Sequence, residues 1–158
     1  MAGLYGNANY IVINGGKVKA TENSAAGIGG GWIGSASHIT ISGGEVESTG
    51  GSDGAGIGSG GNHSYCTNGS DIEISGGKVT AIGGEKGAGI GGGVCGNGNS
   101  ITISGGEVEA IGGNSAAGIG GGAAGDYGSA GTGSNITISG GVIKVSGKDA
   151  AAIGGGNN

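Results

Sequence analysis

The sequence predicts an all-β fold, a right-handed parallel β-helix (β-solenoid) of five glycine-rich coils. Three observations predict it. An Ile-x-Ile element recurs as Ile11/Ile13, Ile39/Ile41, Ile72/Ile74, Ile101/Ile103 and Ile136/Ile138, and a fixed period of 20–50 residues marks a solenoid, propeller or array. Each element ends in Ser or Asn and then Gly-Gly, from Asn14-Gly15-Gly16 to Ser139-Gly140-Gly141. Charges flanking the next apolar position alternate in sign from copy to copy, as in Lys17, Glu45, Lys78 and Glu107.

The elements of one coil follow in order. A short apolar pair opens each unit: Leu4-Tyr5, Trp32-Ile33, Tyr65-Cys66, Val94-Cys95 and, weakly, Ser129-Ala130. The Ile-x-Ile alternation fits a strand with one buried face. The Gly-Gly turn fits a sharp corner, where glycine reaches positive φ at no steric cost. Five residues after the second Ile stands Val18, Val46, Val79, Val108 or Ile143, the centre of a second strand. Ten or eleven residues on stands Ile28, Ile57, Ile90, Ile119 or Ile153 inside a Gly-Ile-Gly segment, a third strand. Cut at the apolar pair, the coils are about 4–31, 32–64, 65–93, 94–128 and 129–158, one repeat domain over 1–158. Insertions fall at one place, within 58–64 and 120–128. Sides that stack at ~4.8 Å cannot bulge, so length varies at corners. No segment shows a helical period, and parallel crossovers wind right-handed.

Charge supports in-register stacking. The flanking columns read Lys17, Glu45, Lys78, Glu107, Val142 and Lys19, Glu47, Thr80, Glu109, Lys144. Like charges at strand spacing repel, and opposite ones attract by roughly 0.2–1 kcal/mol a pair. Composition excludes several classes. With 48 Gly among 158 residues the core is thin, built of Ile, Val and Ala. A net charge of −5 and six Lys without Arg argue against a nucleic-acid partner. No stretch approaches the ~18–20 apolar residues of a membrane span. The Gly-Ile-Gly-Gly-Gly segments recur in every coil, and no helix or Gly-Lys-Ser/Thr follows them, so they are structural and not phosphate loops. They also lack the Asp of a calcium-binding nonapeptide. No cofactor is expected.

The motif ITISGG-x-V-x-A-x-GG…AGIGGG resembles glycine-rich repeats in large surface and secreted proteins of Gram-positive gut bacteria of the Firmicutes type. Such proteins are often described as carbohydrate-binding-domain proteins. The resemblance covers nearly the whole chain, implies an extracellular or cell-surface β-helix, and supplies no catalytic residues. The architecture is more distantly similar to the pectate-lyase type of β-helix, whose enzymes use acidic clusters with calcium or an Arg base. This chain has no Arg, and Asp53, Asp71, Asp126 and Asp149 do not recur in one column. No Ser-His-Asp or paired-carboxylate set emerges either, so no enzyme is expected.

Candidate sites remain. Trp32 and Tyr65 are expected to share one column, with His63 and Tyr127 on the two insertions. An exposed aromatic strip beside polar loops grips sugar rings by their apolar faces, so these four are candidate ligand contacts for a polysaccharide or a host or cell-wall glycan. Outward residues of the Ile-x-Ile strands form two further columns: Tyr10, His38, Asp71, Ser100, Asn135 and Val12, Thr40, Glu73, Thr102, Thr137. His38, Asp71 and Glu73 are a candidate divalent-metal set. Thr40, Thr102 and Thr137 resemble the threonine ladder of an ice-binding solenoid, interrupted by Val12 and Glu73. Cys66 and Cys95 occupy one register position in adjacent coils, within reach of a disulfide, with a pair of buried thiols as the alternative. The functional expectation is a non-enzymatic extracellular module for adhesion or glycan binding. The alternatives are a structural stalk or self-assembling repeat, and an ice-binding solenoid. Neither end carries a polar cap, so the sequence reads as a segment of a longer surface protein, with its signal and anchor elsewhere and weak end-to-end self-association at exposed edges.

Overall fold

A computed structural model describes residues 5–158; Leu4, taken as the start of the first coil, lies outside them. Every regular element among the described residues is a strand. The first coil contains β1 (Ala8–Ile13), β2 (Lys17–Thr21) and β3 (Ile28–Gly29). The second contains β4 (Ala36–Ile41), β5 (Glu45–Thr49) and β6 (Ile57–Gly58). The third contains β7 (Gly69–Ile74), β8 (Lys78–Ile82) and β9 (Ile90–Gly91). The fourth contains β10 (Gly98–Ile103), β11 (Glu107–Asn114) and β12 (Ile119–Gly120), and the fifth β13 (Gly133–Ile138), β14 (Val142–Lys148) and β15 (Ile153–Gly154).

Three parallel five-stranded sheets form the walls of a solenoid. The first runs β1-β4-β7-β10-β13, the second β2-β5-β8-β11-β14 and the third β3-β6-β9-β12-β15. The registers pair each repeat position with its equivalent: Ile11 with Ile39, Val46 with Val79, Ile90 with Ile119. The Ile and Val columns therefore converge inside as one core, closed by Ala81 and Ala110. In the middle coils the Ile-x-Ile and Gly-Ile-Gly isoleucines are fully buried, which is worth roughly 1.5–3 kcal/mol per side chain.

The second sheet carries the charge ladder on its outer face. Lys17 pairs with Glu45 at 3.0 Å, Lys19 with Glu47 at 3.1 Å, Lys78 with Glu107 at 3.6 Å and Lys144 with Glu109 at 2.6 Å. At the preceding corner a backbone ladder runs up the stack, where Glu45, Lys78, Glu107 and Val142 each donate N–H to the second glycine of the corner one coil before. A side-chain ladder at this corner is sparse, with Ser42 Oγ donating to Asn14 Oδ1 at 3.3 Å.

A continuous side-chain ladder stands instead four residues before each Ile-x-Ile. The Asn7 and Asn68 carboxamides accept from the Ser35 and Asn97 N–H groups at 2.9 Å, and Asn97 Oδ1 accepts from Thr132 N–H at 2.8 Å. Sequence reasoning missed this column, although Asn7, Ser35, Asn68, Asn97 and Thr132 are all residues that bond backbone locally. Among the described residues no buried side-chain nitrogen or oxygen lacks a partner; Ser59 Oγ, for instance, donates to Thr67 O and accepts from Gly93 N–H.

Glycine is required on two counts in the third sheet, backbone angle and space. Gly58 has φ +140°, and a Cβ placed on it would stand 1.9 Å from the Gly91 carbonyl oxygen. Gly15 has ordinary φ and nothing within 4 Å of such a Cβ. We therefore expect Gly58→Ala to cost about 3 kcal/mol or more. Gly15→Ala should be neutral or stabilise by up to about 1 kcal/mol through a stiffer unfolded chain. Denaturant unfolding of the two variants checks the contrast, and equal losses would contradict the stacking geometry.

The ion-pair ladder has a pH dependence of defined sign. The hydrogen bond and charge of Lys19 hold the Glu47 carboxyl below its ordinary 4.5. That contribution is complete above 4.5 and is lost as pH falls through the lowered folded value. Glu45 and Glu109 hold the Lys17 and Lys144 amines above their ordinary 10.5, so those contributions are complete below 10.5 and are lost as pH rises through the raised values. All these groups are exposed, and the effects are small. Thermal unfolding across pH should show Lys19→Met slightly less stable at neutral pH, with the difference vanishing in acid. A difference that persists in acid would assign the effect to packing of the Lys19 stem.

Candidate functional site

The first sheet presents its outer face to solvent, and one backbone feature shapes it. The residue before each Ile-x-Ile is left-handed: Tyr10 at φ 61°, His38 at 55°, Asp71 at 51°, Ser100 at 53° and Asn135 at 51°. The strand pairing passes over this residue in every coil, from Asn9–Ser37 directly to Ile11–Ile39. The kink sends two successive side chains outward, so Asn9, Tyr10 and Val12 are exposed while Ala8, Ile11 and Ile13 turn toward the core. The kink exchanges the two residues before it, so Asn9 faces out and Ala8 in, the reverse of strict alternation. This outward polar column is tied by hydrogen bonds, Ser37 Oγ to Asn9 Oδ1 and Ser134 Oγ to Asn99 Oδ1, each 2.6 Å. Left-handed backbone costs an L-residue about 1–2 kcal/mol, least for Asn and Asp. His38, Asp71 and Asn135 are residue types enriched there, which was the available sequence signal.

On this face lies a shallow groove of ≈ 550 Å³. The grooves on the second sheet are ≈ 220 and ≈ 210 Å³. At one end Tyr10 and His38 stack, with ring centroids 4.6 Å apart and planes 23° from parallel. Tyr10 is 76% exposed, so the outer side of the stack is free. His38 Nδ1 lies 3.2 Å from Ser37 Oγ. Asp71 follows His38 in the left-handed column, and Glu73 follows Thr40 in the next column. Ser100 and Thr102 line the far end. The threonine column reads Val12, Thr40, Glu73, Thr102, Thr137 in the observed register, so the ice-binding type of ladder is broken where expected.

The groove offers aromatic faces, hydroxyls and two carboxylates. It does not offer a metal site: among the described residues no three His, Cys, Asp or Glu side chains lie close enough to hold an ion. The expected set of His38, Asp71 and Glu73 fails for a geometric reason. All three point outward from a nearly flat sheet and do not converge.

The second cluster is built by the two insertions. Asn62 and Tyr65 bridge each other, closing a small loop on the second coil. The fourth-coil insertion reaches back across the third coil, and Asp126 N–H donates to His63 O at 3.0 Å. His63 Nε2 lies 3.3 Å from Asp53 Oδ1 and its Nδ1 3.2 Å from Asp126 Oδ1, while Lys86 Nζ approaches Nδ1 at 3.3 Å. Asp53 is only 7% exposed. Burial pushes its carboxyl above the usual 3.8, and the His63 and Lys86 charges oppose that shift. These side chains satisfy one another and clasp the two loops together.

The aromatic strip expected from sequence is not assembled. Trp32 and Tyr65 do not share a column: Trp32 O accepts from Gly61 N–H at 2.7 Å, and Tyr65 N–H turns back to Asn62 O. The insertion therefore includes Tyr65. Trp32 is 36%, Tyr65 57% and Tyr127 88% exposed, on separate segments. Within the apolar pairs, Val94 is fully buried and Cys66 is exposed. Cys66 and Cys95 form a disulfide between adjacent coils, with Cα atoms 4.9 Å apart. Gly128 of the fourth-coil loop packs over it: a Cβ there would lie 2.9 Å from Cys66 Sγ. The bond spans 29 residues, so Cys66→Ser with Cys95→Ser should cost about 3 kcal/mol by chain entropy. The expected signature is a lower Tm for the double variant and for the reduced wild type alike. An unchanged Tm would show that the clasp holds the loops without the bond.

A model of the β-helix repeat matches the chain five times, over residues 11–32, 39–61, 72–94, 101–135 and 136–157. These matches follow the coils seen in the structure, each beginning at an Ile-x-Ile strand. No curated protein and no solved structure matches the chain. The repeat matches cover well over half of the sequence, and the chain belongs to the β-helix repeat family.

Proposed function

We infer that this β-helix is a non-enzymatic, extracellular glycan-binding module of a bacterial surface protein, and that it binds along the outer face of the first sheet. The observation that carries the reading is the Tyr10–His38 stack at the end of the ≈ 550 Å³ groove. A pyranose ring has an apolar face that lies on an aromatic ring and a rim of hydroxyls that need polar partners. Tyr10 and His38 supply the first, and Ser37, Asp71, Ser100 and Thr102 the second. The ~4.8 Å rise between coils is close to the length of one hexose unit, so a glycan laid along the solenoid axis meets about one coil per sugar. Ser37 Oγ stands 3.2 Å from His38 Nδ1 but donates its proton to Asn9 Oδ1 at 2.6 Å, so the ring does not activate the hydroxyl, which favours binding over turnover. The Cys66–Cys95 bond favours an oxidising compartment.

Glycan-array screening followed by calorimetry tests the reading. Tyr10→Ala should weaken the selected glycan about tenfold, consistent with losing one stacking contact of roughly 1–1.5 kcal/mol. Trp32→Ala should leave affinity unchanged, because Trp32 is not on this sheet. Loss on Trp32→Ala alone would move the site to the loops. Absence of any glycan, together with concentration-dependent filaments, would select the structural stalk instead.

A further inference from the structure

The same face also selects the charge of its ligand, an inference that rests on the glycan reading above. The four lysines and four glutamates of the second-sheet ladder neutralise one another. The chain's net charge of −5 therefore lies entirely on other residues, and Asp71 and Glu73 are two of them. The five strands of the first sheet contain no Lys or Arg. Among the described residues the Asp71 carboxylate takes a hydrogen bond from its neighbour Ser70, at 3.2 Å, and neither Asp71 nor Glu73 stands in an ion pair. Every glutamate of the second-sheet ladder, by contrast, has its lysine.

Position makes the contrast specific. Asp71 and Glu73 are two residues apart on β7, so their side chains project from the same face. β7 is the central strand of the sheet. The most negative point of the groove is thus its middle, flanked by the Tyr10–His38 stack on one side and by Ser100 and Thr102 on the other. A cation held near both carboxylates is attracted by each. A bare metal ion is a poor match, because the donors do not converge. Successive units of an amino-sugar polymer match each part: one ring lies against the aromatic stack, the ammonium of the next reaches the carboxylates, and the hydroxyls of a third reach Ser100 and Thr102. We propose that the groove binds a linear amino-sugar glycan with free ammonium groups, that is, a de-N-acetylated polymer.

Calorimetry with three probes tests the proposal: glucosamine oligomers, the same oligomers fully N-acetylated, and oligogalacturonate, at low and high salt. Glucosamine oligomers should bind about tenfold tighter than the acetylated form, with oligogalacturonate weakest, and the preference should shrink as salt rises. Asp71→Asn with Glu73→Gln should abolish the preference and leave binding of the acetylated oligomers unchanged. Both changes are near-isosteric, and Asn tolerates the left-handed backbone at position 71, so thermal unfolding should report an intact fold. Glu22→Gln with Glu85→Gln removes the same charge elsewhere and should keep the preference. Equal binding of both sugar forms, a preference that survives Asp71→Asn with Glu73→Gln, or one lost in the Glu22/Glu85 variant would overturn the charge assignment while leaving glycan binding in place. Failure of all three probes to bind would overturn both readings.

Discussion

The structure depends on one constraint, that every residue stands one strand spacing from its equivalent in the next coil. Backbone hydrogen bonds along three parallel sheets enforce that spacing, and it decides which side chains each column accepts. A column of Ile fills the interior because identical branched side chains stack without gaps. A column of like charges would repel, and the second sheet alternates Lys and Glu. Where backbone approaches backbone, as at Gly58 and Gly91, no Cβ fits at all. The high glycine content follows from close packing of corners and short strands, where a disordered chain would need no such placement.

The same constraint explains how much of the fold the sequence revealed. Columns are visible as repeats, so the Ile-x-Ile, valine and Gly-Ile-Gly strands could be aligned residue by residue, and the pairings Ile39–Ile72, Val79–Val108 and Ile57–Ile90 follow that alignment. Insertions break the logic. Between Gly61 and Cys66 the repeat period does not say which residue remains opposite Trp32, and apolar character favours Tyr65. The backbone selects Gly61, because only that choice continues the hydrogen-bond ladder from the third sheet. The Asp53–His63–Asp126 clasp was illegible for the same reason: its members come from two loops and a corner in two different coils, and no period relates them.

The left-handed column was illegible for another reason. Alternation predicts that a strand sends every second residue outward, and Tyr10 and Val12 obey that rule. Only the backbone shows that Asn9 also points out, because Tyr10 adopts φ 61°. The types at this position, Tyr, His, Asp, Ser and Asn, share no hydrophobicity. Three of them share a tolerance for left-handed backbone, a weaker signal than a column of Ile.

The three walls differ in what they leave unsatisfied. The third sheet has strands of two residues, packed against neighbouring backbone and offering little side-chain chemistry. The second sheet meets its own charges, and a ligand there would have to break ion pairs. The first sheet alone combines a strained backbone with unpaired polar side chains. Kinking each coil at Tyr10, His38, Asp71, Ser100 and Asn135 costs conformational energy, and the core gains no larger side chain in return, since the inward residue three places before the first Ile is only Ala or Gly. What the kink does supply is an outward polar column of Asn9, Ser37, Ser70, Asn99 and Ser134 in place of Ala or Gly. The recurrent backbone strain turns the Asn and Ser of this column to solvent and Ala or Gly to the core, which spares the interior a column of polar side chains.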